Sequence, residues 1–300
     1  GRSPAADGGG AGEGVHAVML YMLLYPLHTT HAALNVFRYI TFRTLLAALT
    51  ALTLSLLLGP WLIRRLAALQ IGQSIRTDGP AGHATKAGTP TMGGTLIIFA
   101  CVLATLLLAD LNVWYVWIAV GVTLAHGLIG FLDDYAKVRR GNSAGLPGRV
   151  RLAVEFTVAG LAAAAIYTWS GHGGHLTMPF LKDTRPDLGL WYIPFGALVV
   201  VGCANAVNLT DGLDGLAIGP VMIAGGTYAV FAYTAGHARI AEYLQIPFVP
   251  GAGELTVFCG ALAAAGLGFL WFNAYPAQMF MGDVGSLALG SALGIVALIT

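Results

Sequence analysis

Long apolar stretches constrain the fold of this chain more than any other feature of its sequence. Eight of them approach the length, about 20 residues, that a helix needs to cross the hydrocarbon core of a membrane. The chain is 57% hydrophobic with 10% charged residues, and its mean hydropathy of +0.75 lies outside the range of soluble domains. We therefore predict an all-α polytopic membrane protein. The predicted spans are residues 43–63, 93–109, 113–132, 152–169, 189–207, 216–235, 255–272 and 285–300.

The region before the first predicted span has a different composition. Residues 1–17 are rich in Gly and Ala at their start and lack hydrophobic periodicity, which predicts a disordered leader. Residues 18–27 are apolar but too short to cross a bilayer, so we predict a helix lying in the membrane interface. Residues 18–300 are expected to form a single transmembrane domain.

The three cysteines are Cys101, Cys203 and Cys259, which lie inside or at the end of apolar stretches and far apart in sequence. Their spacing fits neither a disulfide framework nor a metal-binding motif. We interpret them as small core residues.

Basic residues are distributed unequally among the connections. The connections after the first and third spans carry nine of the fifteen Lys and Arg residues, whereas the outward ones carry only Lys182, Arg185 and Arg239. Because basic residues favour the cytoplasmic side, we predict that the N-terminus lies outside. The outward loop is compatible with a short hairpin near residues 172–188. The connections predicted to face the cytoplasm are residues 64–92, 133–151, 208–215 and 273–284.

Carboxylates gather on the same predicted side. Asp133, Asp134, Asp211, Asp214 and Asp283 all fall at the cytoplasmic ends of predicted spans. A carboxylate at the bilayer centre costs about 2.5–3.5 kcal/mol on insertion scales, so these residues are expected at an interface or a wet cavity. We therefore predict that they share one site on the cytoplasmic face.

Residues 205–215, N-A-V-N-L-T-D-G-L-D-G, concentrate hard oxygen ligands at the end of an apolar stretch. Asp211 and Asp214 would lie on one face if the segment were helical. The alternative is a turn with local hydrogen bonds from the Asp side chains. A turn does not explain Asn205 and Asn208 within the apolar stretch, where unpaired amides are costly. We therefore favour a functional site.

Asp133 and Asp134 follow a predicted span directly, in G-F-L-D-D-Y. Adjacent helical residues point about 100° apart, so one carboxylate could face a metal and the other a substrate or a basic residue. An acid pair neutralised by Lys137 and Arg139 at the helix end is an equally good interpretation.

Asp283 lies between Gly282 and Gly285, with Phe280 three residues earlier. Taken alone, its place before a predicted span favours helix capping. An aromatic residue beside a metal-binding acid is also what stacking on a nucleotide base requires, so the functional interpretation stays open.

Residues 88–94, G-T-P-T-M-G-G, follow Lys86 and precede a predicted span. They lack the residue order of a P-loop. Glycines and threonines at a helix N-terminus can still offer N–H and hydroxyl donors to a phosphate. The alternative is a loop of helix-breaking residues that enters the membrane.

Two polar residues inside apolar stretches have structural interpretations. Glu155 follows Arg151 by four residues, which favours a paired charge at a helix end. His126 is interpreted as an interior residue with satisfied hydrogen bonds.

Four motifs together carry a resemblance to a known family. They are G-T-P-T-M-G-G at 88–94, G-F-L-D-D-Y at 130–135, N-A-V-N-L-T-D-G-L-D-G-L-A at 205–217 and W-F-N-A-Y-P-A-Q-M-F-M-G-D-V-G-S at 271–286. From about residue 34 onwards, the chain resembles the MraY family. These are the phospho-N-acetylmuramoyl-pentapeptide transferases of the polyprenyl-phosphate N-acetylhexosamine-1-phosphate transferase superfamily.

The resemblance implies a Mg²⁺-dependent phosphoglycosyl transferase of bacterial peptidoglycan synthesis, located in the cytoplasmic (inner) membrane. Such an enzyme moves phospho-MurNAc-pentapeptide from UDP-MurNAc-pentapeptide onto undecaprenyl phosphate, giving lipid I and UMP. By motif, Asp283 corresponds to the Mg²⁺ ligand and Asp133 to the proposed base, with Asp134 beside it. The resemblance further implies a homodimer in the lipid bilayer and no nucleic-acid partner.

The remaining site residues implied by the resemblance are of two kinds. One set resembles the uridine-diphosphate pocket: Asp211, Gly212, Leu213, Asp214, Asn273 and Phe280, with Phe280 stacking on uracil. The other set resembles positions that line the phosphate site: Lys86, Thr91, Asn205 and Asn208.

The chain departs from the family at its end. Family members have ten spans and a cytoplasmic His-rich motif between the last two, whereas the printed sequence ends at Thr300 after the eighth predicted span. We therefore expect the two closing helices to be missing from this chain. One alternative function is a relative that uses UDP-GlcNAc. Another is a cation transporter with the acids along an ion path, which predicts polar residues continuing across the bilayer.

Overall fold

The computed structural model describes residue 27 and residues 31–69, 89–140, 145–171, 174–177 and 184–300. The leader predicted at residues 1–17 lies outside these residues, as does the predicted interfacial helix apart from Leu27. Within the described residues the chain is helical and no β-strand forms. The α-helices of this part are α1 (Ile40–Ala68), α2 (Gly94–Leu108), α3 (Trp114–Arg140), α4 (Gly148–Trp169), α5 (Tyr192–Thr210), α6 (Ile218–Ala235), α7 (Ala238–Leu244), α8 (Leu255–Asn273) and α9 (Gly282–Ile299); short 3-10 helices lie at Ala32–Arg38, Gly189–Trp191 and Ala252–Glu254.

Each of the eight predicted spans coincides with one of these helices, which confirms the all-α membrane class. Within the described residues, seven helices are long and apolar enough to cross a membrane. The eighth, α2, has 15 residues, which reach about 22 Å at about 1.5 Å per residue and fall short of the hydrocarbon core. The preceding non-helical segment is buried at Thr91 and Met92, a setting in which such backbone is tolerated at membrane depth. The orientation stays a prediction.

Helices α1 and α8 pack along a stripe of small residues. Ala47, Ala51, Ser55 and Gly59 recur at every fourth position of α1, and all four are buried. A Cβ atom at Gly59 would overlap the ring of Phe272 in α8. Small residues let two helix backbones approach closely, so van der Waals packing can hold helices together where lipid removes the hydrophobic driving force.

Helix α9 lies among four other helices, with 78% of its spanning window buried. It packs against α2, α3, α5 and α6. A Cβ atom at Gly285 would overlap the backbone of Gly94 in α2, and one at Gly290 would overlap the carbonyl group of Cys203 in α5. These close approaches place the first turn of α9, which carries Asp283, between the surrounding helices.

A buried ion pair joins three segments where α2 ends and α8 begins. Arg43 of α1 donates two hydrogen bonds of 2.6 Å to the carboxylate of Glu254, just before α8. Arg43 also donates to the carbonyl of Leu108 at the end of α2, at 3.2 Å. The N–H of Asp110 donates to Glu254 at 2.9 Å. The pair therefore holds the start of α1, the end of α2 and the start of α8 together.

The loop between α4 and α5 closes in an antiparallel manner. His175 and Asp187 form an isolated antiparallel bridge. The Leu176 N–H donates to Pro186 O at 3.0 Å, and the Leu188 N–H donates to Gly174 O at 2.9 Å. The two ends of the loop thus pair as the predicted hairpin requires, while residues 178–183 at its tip lie outside the described residues.

The cysteines occupy the places expected of core residues. Cys101 and Cys259 are buried, Cys203 is half-buried, and all three are free. These positions agree with the interpretation of the cysteines as small core residues.

Candidate active site

Three carboxylates from two helices meet at one end of the bundle. Asp133 and Asp134 lie near the end of α3 and are buried, and Asp283 lies in the first turn of α9. One oxygen of each carboxylate lies within 4.8 Å of the others. The structure therefore brings together two of the three acidic sites that the sequence placed on one membrane face.

Lys137 lies between all three carboxylates. Its Nζ is 2.6 Å from Asp133 Oδ2, 2.7 Å from Asp283 Oδ2 and 3.6 Å from Asp134 Oδ1. The interpretation of a pair neutralised at a helix end is therefore correct for Lys137, but the lysine also reaches the acid of another helix. Three carboxylates thus share this ammonium group, and Arg151 Nη1 approaches Asp283 Oδ2 at 3.4 Å. The formal charge of the cluster stays negative.

Backbone groups fix the acid pair of α3. The Leu146 N–H donates to Asp133 Oδ1 at 2.7 Å, and the Val284 N–H donates to Asp134 Oδ2 at 3.2 Å. Gly282 has a φ of +74°, and a Cβ atom there would lie 2.5 Å from Asp134 Oδ2. A glycine is therefore needed at this position both for its left-handed backbone and for the close approach.

The two asparagines of α5 extend this cluster. Asn208 Nδ2 donates to Asp283 Oδ1 and to Ser286 Oγ, both at 2.8 Å. Asn205 Oδ1 accepts a hydrogen bond from Arg151 Nη2 at 3.0 Å. Both side chains thus contact the cluster or its basic neighbour, which explains amides at the end of an apolar helix.

Asp211 and Asp214 lie in a turn that follows α5, because the helix ends at Thr210. Asp211 and Asp214 therefore do not share a helical face. The alternative interpretation, a turn, describes the backbone correctly. Burial raises the pKa of the Asp211 carboxyl to about 7, and the negative charge of Asp283 acts in the same direction. Asp211 thus belongs to the electrostatic environment of the cluster.

The same turn is tied to the segment before α9. Asn273 is buried, accepts a hydrogen bond from the Gly215 N–H at 3.0 Å and donates to Met279 O at 2.9 Å. The Ala277 N–H donates to Asp214 Oδ2 at 3.2 Å. Asn273 and Asp214 therefore hold two loops together, with the exposed Gly212 and Leu213 at the surface of the turn.

The non-helical segment before α2 is hydrogen-bonded to the segment before α9. The N–H groups of Gly93 and Gly94 donate to Phe280 O and Met281 O, both at 2.8 Å, and the Phe280 N–H donates to Pro90 O at 2.8 Å. The idea that these glycines offer free N–H donors to a phosphate is therefore wrong, because neighbouring carbonyls already accept from them.

Thr91 lies within reach of the cluster. A Cβ atom at Gly282 would lie 3.0 Å from Thr91 Oγ1 as well as beside Asp134 Oδ2. Thr91 is thus a neighbour of Asp134. Lys86 lies outside the described residues.

Sequence reasoning missed the two basic residues and one acid that complete the cluster. Lys137 was considered only as a neutralising charge, and Arg151 and Glu155 only as a pair; their ion pair of 3.3 Å is confirmed. The signal for Lys137 was its position one helical turn after Asp133, on the same face. Glu155 also accepts a hydrogen bond from Asn205 Nδ2 at 2.6 Å, a contact that no local pattern predicts.

The helices and the acid cluster define a multi-pass helical membrane protein with a buried polar site at one end of its bundle. A sequence profile of glycosyl transferase family 4 matches residues 116–300. The first signature of the phospho-N-acetylmuramoyl-pentapeptide-transferases matches residues 86–98. The chain belongs to this family of phospho-N-acetylmuramoyl-pentapeptide-transferases.

Bacterial relatives support the same assignment. A phospho-N-acetylmuramoyl-pentapeptide-transferase of Syntrophus aciditrophicus (strain SB) is 59% identical over 282 residues, covering 94% of this chain and 79% of the relative. Proteins of the same name from Desulfatibacillum aliphaticivorans and from Pelobacter propionicus (strain DSM 2379 / NBRC 103807 / OttBd1) are 58% and 55% identical, with the same coverage of 94% and 79%. Together with its helices, these similarities make the chain a multi-pass bacterial membrane protein.

Proposed function

We propose that this protein transfers phospho-N-acetylmuramoyl-pentapeptide from UDP-MurNAc-pentapeptide to undecaprenyl phosphate, forming lipid I and UMP. The observation that carries the proposal is the meeting of Asp133, Asp134 and Asp283 within 4.8 Å at the ends of membrane helices, in a member of this transferase family. A nucleotide substrate arrives from water and a lipid substrate from the bilayer. We propose that the two substrates meet at this polar site, because it lies at the ends of membrane helices.

The chemistry of the cluster fits a hard divalent cation. Carboxylate oxygens are the ligands preferred by Mg²⁺, and three of them lie close enough to contribute to one site. Their charge also exceeds that of Lys137. We propose Mg²⁺ as the cofactor, with Asp283 as its main ligand and Asp133 and Asp134 beside it. When bound, Mg²⁺ supplies charge neutralisation at the diphosphate and at the departing UMP.

The residues around the cluster are proposed to bind the donor substrate. Asp211 and Asp214 lie in the turn that Asn273 joins to the segment carrying Phe280. This arrangement supports a uridine-diphosphate pocket formed by that turn and that segment. The proposed pocket residues are Asp211, Gly212, Leu213, Asp214, Asn273 and Phe280, and the proposed phosphate-site residues are Lys86, Thr91, Asn205 and Asn208.

We propose a direct in-line attack of the lipid phosphate on the donor. A phosphate monoester has its second pKa near about 6, so it is largely ionised at neutral pH and needs little help from a base. Asp133 already accepts hydrogen bonds from Lys137 and from the Leu146 N–H. It therefore positions groups more than it removes a proton. Lys137 and Arg151 offset the repulsion between the two anionic substrates.

Family membership favours this function over the two alternatives. A cation transporter would need polar residues along a path through the bilayer, whereas these acids gather at one end of the bundle. For the sugar, the relatives named for the muramoyl-pentapeptide favour that donor over UDP-GlcNAc. We further propose that residues 18–300 form one transferase domain of a homodimer in the inner membrane, with the acid cluster facing the cytoplasm.

The test is the release of UMP by the purified protein in detergent or liposomes. UDP-MurNAc-pentapeptide and a polyprenyl phosphate are supplied with Mg²⁺ or with EDTA. Release that requires the lipid and Mg²⁺ supports the proposal. UMP release from UDP-GlcNAc instead would show that the protein is a GlcNAc-1-phosphate transferase. Isolation of a phospho-enzyme without the lipid acceptor would show a covalent mechanism and contradict direct attack.

A further inference from the structure

Glu155 is a buried acid that the proposed mechanism does not use. It lies in α4, one turn after Arg151, with no exposed surface. A buried carboxylate is costly unless it is paired and hydrogen-bonded. One of its oxygens, Oε2, accepts a hydrogen bond of 2.6 Å from Asn205 Nδ2. The other, Oε1, is 3.3 Å from Arg151 Nε but has no hydrogen-bond donor.

This contact with Asn205 fixes the orientation of its amide. Asn205 Nδ2 donates to Glu155 Oε2 and also to Val201 O at 3.0 Å. The amide oxygen must therefore point the other way, where it accepts from Arg151 Nη2 at 3.0 Å. Glu155 thus acts on the guanidinium group twice, through its own charge and through the amide that it orients.

The guanidinium group is held from two sides, and its third side faces the acid cluster. Arg151 Nη1 reaches Asp283 Oδ2 at 3.4 Å, which is longer than the about 2.7–2.9 Å of a strong charged hydrogen bond. The strong contact of Asp283 Oδ2 is instead with Lys137, at 2.7 Å. Arg151 is therefore near Asp283 without being closely paired to it.

We propose that Glu155 is a positioning residue that restrains Arg151 beside the acid cluster and keeps it from pairing closely with Asp283. This inference rests on the proposed function. The restraint keeps a second side-chain cation away from Asp283, whose close partners are Lys137 and Asn208, and leaves the guanidinium group pointing towards the place of an anionic phosphate. Without Glu155, Arg151 turns to Asp283 and competes with the cation for its oxygens.

The first experiment measures binding of Mg²⁺ alone, without substrates. The unfolding temperature of the purified protein is followed as Mg²⁺ is added, because a ligand of the folded state raises it. We expect Glu155→Leu to raise the half-maximal Mg²⁺ concentration by about 10- to 100-fold, the range known for partners of metal ligands. Glu155→Gln, which keeps the size and can still accept from Asn205, should give a smaller shift in the same direction.

The second experiment removes the competing residue. If Glu155 acts by restraining Arg151, the double variant Glu155→Leu/Arg151→Ala should need no more Mg²⁺ than Arg151→Ala alone. Two results overturn the proposal: an unchanged Mg²⁺ midpoint in both Glu155 variants, or the same shift with and without Arg151. If Glu155→Leu does not fold, the comparison is made with Glu155→Gln in both backgrounds.

A matched control is Glu254→Gln, which changes the other buried acid paired with an arginine. It should lower the unfolding temperature without changing the Mg²⁺ midpoint. UMP release separates this inference from the proposed function. A wild-type protein that binds Mg²⁺ but releases no UMP contradicts the proposed reaction, while the Mg²⁺ midpoints still decide the role of Glu155.

Discussion

Two clusters of buried charge lie at opposite ends of the bundle, and they are built differently. At one end, Arg43 and Glu254 form a one-to-one pair with two hydrogen bonds of 2.6 Å, and the side chains are 2% and 9% exposed. At the other, three carboxylates share Lys137, whose side chain is 31% exposed, and the more distant Arg151. A balanced and enclosed pair can only hold segments together. An unbalanced and partly exposed cluster can bind a cation and change its partners.

The comparison is tested most strongly by Asp283→Asn. Loss of this carboxylate should lower kcat/KM for UMP release by more than about 10³-fold, because removal of a single preorganised electrostatic group already costs about 10²–10³-fold. The unfolding temperature without Mg²⁺ should fall modestly, since the ion pair between Lys137 and Asp283 is lost. Activity that survives this change would contradict the assignment of Asp283 as the main metal ligand.

The opposite result is expected for Glu254→Ala. Breaking a buried ion pair leaves an uncompensated charge and costs about 3–5 kcal/mol of stability. Unfolding in denaturant should show this loss, while the UMP released per folded molecule stays the same. The double variant Glu254→Leu/Arg43→Met should recover much of the stability, because no buried charge remains. A large loss of turnover in folded Glu254→Ala would show that the two ends are coupled.

A smaller effect on stability is expected from Lys137→Met, which removes the ammonium group that the three carboxylates share. The three carboxylates then repel one another without a nearby ammonium group, so the protein should unfold at a lower temperature in EDTA. Added Mg²⁺ should compensate for this loss, and it should raise the unfolding temperature of the variant more than that of the wild type. An equal response of both proteins to Mg²⁺ would indicate that Lys137 and the cation do not share a place.

The last effect concerns pH and Asp211. Its folded-state pKa of about 7 lies above the ordinary value of about 3.9, so the folded protein binds this proton more tightly than the unfolded chain. The resulting stability is fully present below about pH 4 and is lost as the pH rises through about 7. In EDTA, the wild type should therefore lose stability over this range relative to Asp211→Asn. Parallel pH profiles for the two proteins would contradict the raised pKa.

The membrane class and the shared acidic site could be predicted because both depend on short-range information. Apolar length predicts helices, and charge bias along the connections placed Asp133, Asp134 and Asp283 on one side. Helix α2 shows the limit of this reasoning. Its apolar residues predicted a span, but the helix begins only at Gly94, because the N–H groups of Gly93 and Gly94 bind the carbonyls of Phe280 and Met281, which are distant in the sequence.

The residues that the sequence did not predict also depend on contacts between distant segments. Arg43 and Glu254 lie 211 positions apart, and neither stands in a pattern that points to the other. Glu155 and Asn205 are 50 positions apart, so only half of the environment of Glu155, its pairing with Arg151, could be predicted from helical spacing. Contacts of this kind depend on which helices become neighbours, which single-sequence patterns do not contain.

The central place of α9 has a consequence for biosynthesis. Synthesis proceeds from the N-terminus, so Asp133 and Asp134 are inserted well before Gly282–Ile299 leaves the ribosome. During that interval Lys137 on the same helix is their neighbouring cation. The helices that pack against α9 can therefore reach their final arrangement only after α9 has been inserted. The complete acid cluster therefore forms late in assembly. A chain that ends before Asp283 contains Asp133 and Asp134 without the third carboxylate.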